Sequence, residues 1–265
     1  MTDKIANKTI NDFGRQHETY NEYSGFYGSV DILADTLGPL MSPEDFAGKD
    51  VLDLGAGTGR WMHTFHNLGA KNITAIEPSS AINVARANTE HLGNITYHHV
   101  PGDKIPDGQH DYVFSFGVVH HIPDPDPVMK RVYEVLKPGG KAIIWLYGRE
   151  NNGLYLAFMH TLRVFTVRMP DRALDGLSKA MVPMVRLYSK FCKFLPLPLK
   201  GYMSEYIDQV EDYYVQVTIY DQLNPQYAMY YRRQEAIDLM ERAGFTDIQI
   251  YHREKYSWTV IGTKN

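Results

Sequence analysis

The chain has 265 residues, 44% of them hydrophobic, and a formal net charge of −4. That apolar share supports a sizeable core, in one domain with an insertion or in two small ones, and the acidic balance argues against a large nucleic-acid footprint, so no DNA partner is expected. A single cysteine, Cys192, excludes an intramolecular disulfide, and no apolar run forms a signal core or reaches the roughly 18 residues of a membrane span, so a cytoplasmic location is the default expectation. In chain order, residues 1–48 read as helical and polar-aromatic, with Phe13, Tyr20, Tyr23, Phe26 and Tyr27 near one another. Strands are predicted at 50–54, 72–76, 95–100, 111–116 and 141–147, with helices at 59–68, 79–91 and 126–136. Alternation at this spacing implies a parallel sheet covered by helices on both faces. Residues 149–232 break the pattern. A helix at 233–243, closed by Gly244, then leads into strands at 246–251 and 257–263.

The segment Val51-Leu52-Asp53-Leu54-Gly55-Ala56-Gly57-Thr58-Gly59 is an apolar strand running into alternate glycines. Glycines lack a Cβ, so the chain can turn sharply and bring its backbone close to a ligand. Glu77 closes the next apolar run. A carboxylate about 20 residues past such a loop can accept hydrogen bonds from ribose hydroxyls. A pyrophosphate fingerprint would read Gly-x-Gly-x-x-Gly. Here an acid, Asp53, stands two residues before the first glycine, which repels phosphate and suits an ammonium group. The expected ligand is a nucleoside carrying an amino acid.

Asp53-x-Gly55-x-Gly57-x-Gly59, Glu77-Pro78, Gly102-Asp103 and Leu136-Lys137-Pro138-Gly139-Gly140 occur in the order in which class I S-adenosylmethionine-dependent methyltransferases carry their motifs. The chain resembles that family over roughly 45–150 and again over 233–265. The resemblance implies an α/β, Rossmann-like doubly wound, mostly parallel seven-stranded sheet with an antiparallel last strand, plus a helical cap insertion. It implies a methyltransferase domain at 49–149 and 233–265, an N-terminal helical segment at 1–48 and an acceptor-binding insertion at 150–232. It implies S-adenosylmethionine as cofactor and S-adenosylhomocysteine as product. Asp53, Gly55, Gly57, Thr58 and Gly59 would hold the amino-acid part of the cofactor. Glu77 with Pro78 would bind ribose, and Asp103 with Lys104 would flank adenine. Phe116 and Gly117 would line the methionine end, and Tyr20 would close over the cofactor.

The fourth strand runs into Gly117-Val118-Val119-His120-His121. Ligands of open α/β sheets bind beyond the C-terminal ends of the strands, so this segment faces cofactor and acceptor. His120 or His121 could serve as a general base, or both could cap the strand. No metal site is expected. His63 and His66, the adjacent pair His98-His99, and Asp124 with Asp126 offer no convergent zinc set, and neighbours on a strand point to opposite faces.

From Leu154 to Lys200 there are eight basic residues against two acids, Asp171 and Asp175. The dense apolar residues between them fit two or three amphipathic helices. Such helices suit a membrane surface, an anionic acceptor, a homodimer contact, or an ordinary cap with a solvated face. Downstream, Tyr220, Tyr227 or Tyr231 could stand over an acceptor, or form a half-buried wall. The resulting expectation is methyl transfer to oxygen, nitrogen or an activated carbon of a small-molecule or lipid-like acceptor. The alternatives are RNA or protein methylation through the basic insertion, and a non-catalytic cofactor-binding regulatory subunit.

Overall fold

The computed structural model describes residues 2–265. Strands β1 (Asp50–Leu54), β2 (Asn72–Ile76), β3 (Ile95–His98), β4 (His110–Phe116), β5 (Leu136–Tyr147), β6 (Thr246–Arg253) and β7 (Ser257–Thr263) form one sheet of order β3-β2-β1-β4-β5-β7-β6. The first five are parallel, and β7 runs antiparallel between β5 and β6. The chain can insert β7 in this way because Glu254 and Lys255 adopt left-handed conformations and reverse it after β6. This is the expected mostly parallel, doubly wound sheet. β5 begins earlier than the predicted 141, because Leu136 pairs with His110 ahead of an irregularity before Tyr112.

Successive residues of a strand point to opposite faces, and the sheet buries both. Val51, Ile73, Phe114 and Ile143 belong to one core, with Trp61, Met62 and Phe65 of α3 (Arg60–Asn67) and Ile82 of α4 (Ala81–Thr89). Leu52, Ile76, Val113 and Ile144 belong to the other, with Met129 and Val132 of α5 (Asp126–Val135) and Leu239 of the late helix Arg233–Ala243. Parallel strands covered on both sides read as continuous apolar runs, which is why the sequence announced them.

The N-terminal segment forms α1 (Thr2–Thr19) and α2 (Val30–Leu37). Between β5 and the late helix lie α6 (Gly153–Thr166), α7 (Asp171–Phe194), the single turn α8 (Lys200–Tyr202) and α9 (Asp212–Leu223). The late helix is therefore α10. α1 and the residue after it are fastened across the site by three polar contacts, two to α7 and one to Ser80 at the start of α4. Arg15 pairs with Asp171 at 2.7 Å, Tyr20 donates to Asp175 at 2.5 Å, and Ser80 donates to Glu18 at 2.5 Å. Among the described residues, no helix is long and apolar enough to cross a membrane.

Candidate active site

The glycine loop leaves β1 at the C-terminal edge of the sheet. Two backbone bonds hold its start, from Gly55 N and Ala56 N to the Ile76 carbonyl, at 2.8 and 3.1 Å. A Cβ on Gly55 would collide with the Val118 side chain, and one on Gly57, where φ is +53°, would stand 3.1 Å from His17 Nε2. Glycine is required at both positions for close approach. Glu77, at the end of β2, accepts from Gly57 N at 3.1 Å through Oε2. Its Oε1 accepts from Ser79 N at 2.9 Å and Ser79 Oγ at 2.6 Å. A carboxylate has about four acceptor sites, so Glu77 keeps capacity for a ligand hydroxyl while it fixes the loop. Gly59 lies off the cavity and packs against Thr89 and Ala85 of α4.

Asp53 is fully buried, and neither carboxylate oxygen has a hydrogen-bonding partner. Burial pushes its pKa up to about 7, against the pull of Arg60. Arg60 is itself only 8% exposed, stacked 4.0 Å from the Tyr27 ring and 4.3 Å from the Trp61 ring. It donates to the Tyr27 carbonyl at 3.5 Å and makes no ion pair among the described residues. A buried charge without a partner is costly. Here an acid and a base flank the same loop, Arg60 on the cavity wall, where it can meet the carboxylate of an amino acid, and Asp53 buried off it.

The Asp53 shift has a consequence for stability. Its pKa is raised in the folded chain, so the folded state holds a proton more tightly than the unfolded state between 3.8 and about 7. Stability therefore falls as pH rises through that window, by roughly 4 kcal/mol at about 1.36 kcal/mol per pKa unit. Asp53→Asn should melt at a higher temperature than wild type at pH 8 without ligand, with the margin closing toward pH 4. Calorimetry across that range is the check, and a margin independent of pH would show that Asp53 is not held neutral.

β4 and β5 end side by side, and Phe116 stacks on Trp145 at 4.4 Å and 16°. Gly117 and Val118 continue the cavity wall from there. The two histidines then part company. His121 lines the cavity, 4.8 Å from the Phe13 ring of α1. Its Nδ1–H donates to the Tyr227 carbonyl at 2.8 Å, which leaves Nε2 as the basic nitrogen. Burial lowers its pKa to about 4, and Asp221 works against that fall. The ring is neutral at pH 7 and able to accept a proton. His120 is fully buried, stacked 3.8 Å from Tyr147, and lies off the cavity wall. Burial and the neighbouring His121 drive its pKa well down.

The cavity has a volume of about 1220 Å³. Small-molecule pockets ordinarily occupy roughly 300–1,000 Å³, so this one has room for two ligands together. Of the sequence-predicted residues, Tyr20, Gly55, Gly57, Thr58, Glu77, Pro78, Asp103, Phe116, Gly117 and His121 line it. Asp53, Gly59, Lys104 and His120 do not. Lys104 points to solvent, 3.6 Å from Asp103, its side chain 71% exposed. The predicted tyrosines change as well. Tyr220 is buried against Tyr20 at 5.2 Å, and Tyr231 is buried beside β5 and β7, its carbonyl accepting from Trp258 Nε1 at 3.0 Å. Neither of them, nor Tyr227, lines the cavity. Tyr155, Tyr202, Tyr206 and Tyr230 do.

Sequence reasoning assigned no role to His17, Arg60, Trp145, Tyr147 or Asp221, all on the wall. Arg60 directly follows the last glycine of the loop, and that adjacency was the available signal. Asp221 accepts from Tyr147 Oη at 3.0 Å and Gln16 Nε2 at 3.2 Å, joining α9 to β5 and α1. Among the described residues, no three His, Cys, Asp or Glu side chains come together as metal ligands.

Residues 52–144 match the family described as "Methyltransferase domain". The ubiquinone biosynthesis O-methyltransferase of Acinetobacter baylyi is 34% identical over 118 residues, 43% of this chain and 50% of that protein. Phosphoethanolamine N-methyltransferase 2 of Caenorhabditis elegans is 33% identical over 107 residues, 38% of this chain and 24% of that protein. The chain thus spans about half the length, or less, of these curated relatives. Among solved structures, the DhpI–SAH complex superposes with a TM-score of 0.62 at 15% identity, over 100% of this chain and 99% of that one. The 1,6-didemethyltoxoflavin-N1-methyltransferase of Burkholderia thailandensis, solved with its acceptor and S-adenosylhomocysteine, gives 0.57 at 15% identity, over 100% and 91%. At these identities the superpositions speak for the fold. Residues 52–144 thus form a methyltransferase domain, set in a sheet with the fold of the Rossmann-like methyltransferases.

Proposed function

We propose that the protein transfers a methyl group from S-adenosylmethionine to a small, largely apolar acceptor bound beneath the helices α6–α9. The observation that carries this reading is the buried Asp53 carboxyl without a hydrogen-bonding partner and the buried Arg60 guanidinium without an ion pair, flanking a glycine loop pinned by Glu77. In it the amino-acid end of the cofactor meets Arg60 and the loop at residues 55–58, with Asp53 buried at the root of that loop, the ribose meets Glu77, and the adenine lies toward Pro101, Gly102 and Asp103. When bound, the cofactor supplies an electrophilic methyl group. The chain's own residues align the acceptor, which is worth much of the rate. They also exclude water, through α1 and the cap. His121 Nε2 takes the proton of a hydroxyl acceptor, and Asp221 stabilises the imidazolium so formed. Beyond the loop the wall is apolar, with Phe158, Met181, Val185 and Met203, which favours an aromatic or aliphatic acceptor over a macromolecule.

Calorimetric titration with S-adenosylhomocysteine tests the cofactor assignment. Glu77→Ala removes a charged hydrogen-bonding partner worth roughly 1.5–3 kcal/mol, about tenfold or more in affinity. It also frees Gly57 N. Unchanged affinity would take Glu77 out of the site, and no binding by the intact protein would overturn the reading itself.

A further inference from the structure

Helix α7 is apolar on two opposite sides. Leu174, Ser178, Val182, Ser189 and Cys192 form the side buried against the core. On the other side, where a surface helix ordinarily carries charge, stand Met184, Leu187, Phe191 and Phe194 at three- and four-residue intervals. Phe194 is 85% exposed and Met184 68%. α6 repeats the pattern, with Leu154, Phe158 and Phe165 exposed along one helix face. Single exposed apolar residues are ordinary, but two such stripes mark an interaction surface. Arg172, Lys179 and Lys190, spaced so that they share one line on the helix, run along an edge of the α7 stripe. All three are exposed and make no ion pair among the described residues. The stripes also join the cavity. Leu154 and Phe158 are both exposed and part of its wall. Tyr188 of the wall lies one turn from Met184 and Phe191 outside.

We propose that the outer faces of α6 and α7 seat the protein on an anionic lipid bilayer, and that the cavity takes its acceptor, an amphiphile, from that surface. The docking is independent of the activity, whereas the amphiphile as acceptor rests on the methyl-transfer reading. Charge favours a lipid surface over a second copy of the chain. A two-fold contact sets a patch against itself, and with the two α7 helices antiparallel it would bring the cationic rows together. Asp171 and Asp175, the acids of α7, are already engaged by Arg15 and by Tyr20 and Gln216. Anionic headgroups supply the missing counter-charge while the apolar side chains enter the interface.

Flotation of the full chain with vesicles of phosphatidylcholine, with or without phosphatidylglycerol, tests the docking without cofactor or acceptor. Binding is expected on the mixed vesicles only, weakening with salt because screening acts over about 8 Å at physiological ionic strength. Phe191→Glu with Phe194→Glu should lower it about tenfold or more, and Lys190→Glu about fivefold. Melting temperatures near wild type would show that these exposed substitutions leave the fold intact. Absence of binding to mixed vesicles, equal binding to neutral ones, or binding indifferent to the phenylalanine changes overturns the proposal. So does a dimer, seen by light scattering, that Phe194→Glu dissolves while wild type ignores lipid. Vesicle binding by a chain that fails to bind S-adenosylhomocysteine would defeat the methyl-transfer reading and leave the docking standing.

Discussion

Replacing His121 by alanine is expected to lower turnover by about 10²–10⁴-fold, the usual contribution of a positioned base, with affinity for S-adenosylhomocysteine nearly unchanged. The measurement is S-adenosylhomocysteine formed in the presence of a metabolite extract that contains the acceptor. His120 supplies the internal control. It is stacked on Tyr147 and sealed from the cavity, so His120→Ala should act through packing, at about 2–5 kcal/mol of stability. Because the His121 ring has a pKa of about 4, wild-type turnover should not fall between pH 8 and pH 6 through protonation of this base. Its acid limb belongs near pH 4–5 rather than near the ordinary histidine value. Full activity of His121→Ala would mean that the acceptor is already nucleophilic and needs no base.

Gly57→Val is expected to reduce affinity for S-adenosylhomocysteine by about 100-fold or more. The φ of +53° at this position disfavours any side chain, and a Cβ would stand 3.1 Å from His17 Nε2 on the cavity wall. Strain of about 1–3 kcal/mol combines with direct obstruction of the ligand. The loop borders a cavity rather than the packed core, so the variant should remain folded. Gly59→Ala should behave the other way. Its added methyl meets Thr89 and the Ala85 carbonyl of α4, so it should cost stability and leave affinity closer to wild type. Isothermal calorimetry and thermal melts separate the two variants. A Gly57→Val chain with affinity within a few-fold of wild type would place the cofactor elsewhere.

The features legible in the sequence are those governed by local rules. Apolar runs of strand length, the helices between them and the alternate glycines of residues 55–59 report backbone requirements that hold wherever the segment sits. Glu77 was legible for the same reason, since it closes the strand after the loop. The helical nature of residues 153–223 was readable from period and charge, because an amphipathic stripe repeats within a few residues. Its outward face was not. A second apolar stripe on α7 looks like core in one dimension, and only the packed structure leaves Phe191 and Phe194 uncovered.

The sequence by itself determined the sheet, the loop and the kind of ligand, because each depends on residues close in the chain. Tertiary structure alone decided which residues share the cavity. His120 and His121 are neighbours in sequence, yet packing turns one toward Tyr147 and the other toward Phe13. Asp221 reaches the site only because it meets Gln16 and Tyr147 from distant parts of the chain. Asp53 carries its raised pKa only because folding strips its carboxylate of water and of partners. Desolvation and long-range contact leave no local pattern, and for that physical reason the chemistry of this site had to be read from the folded chain.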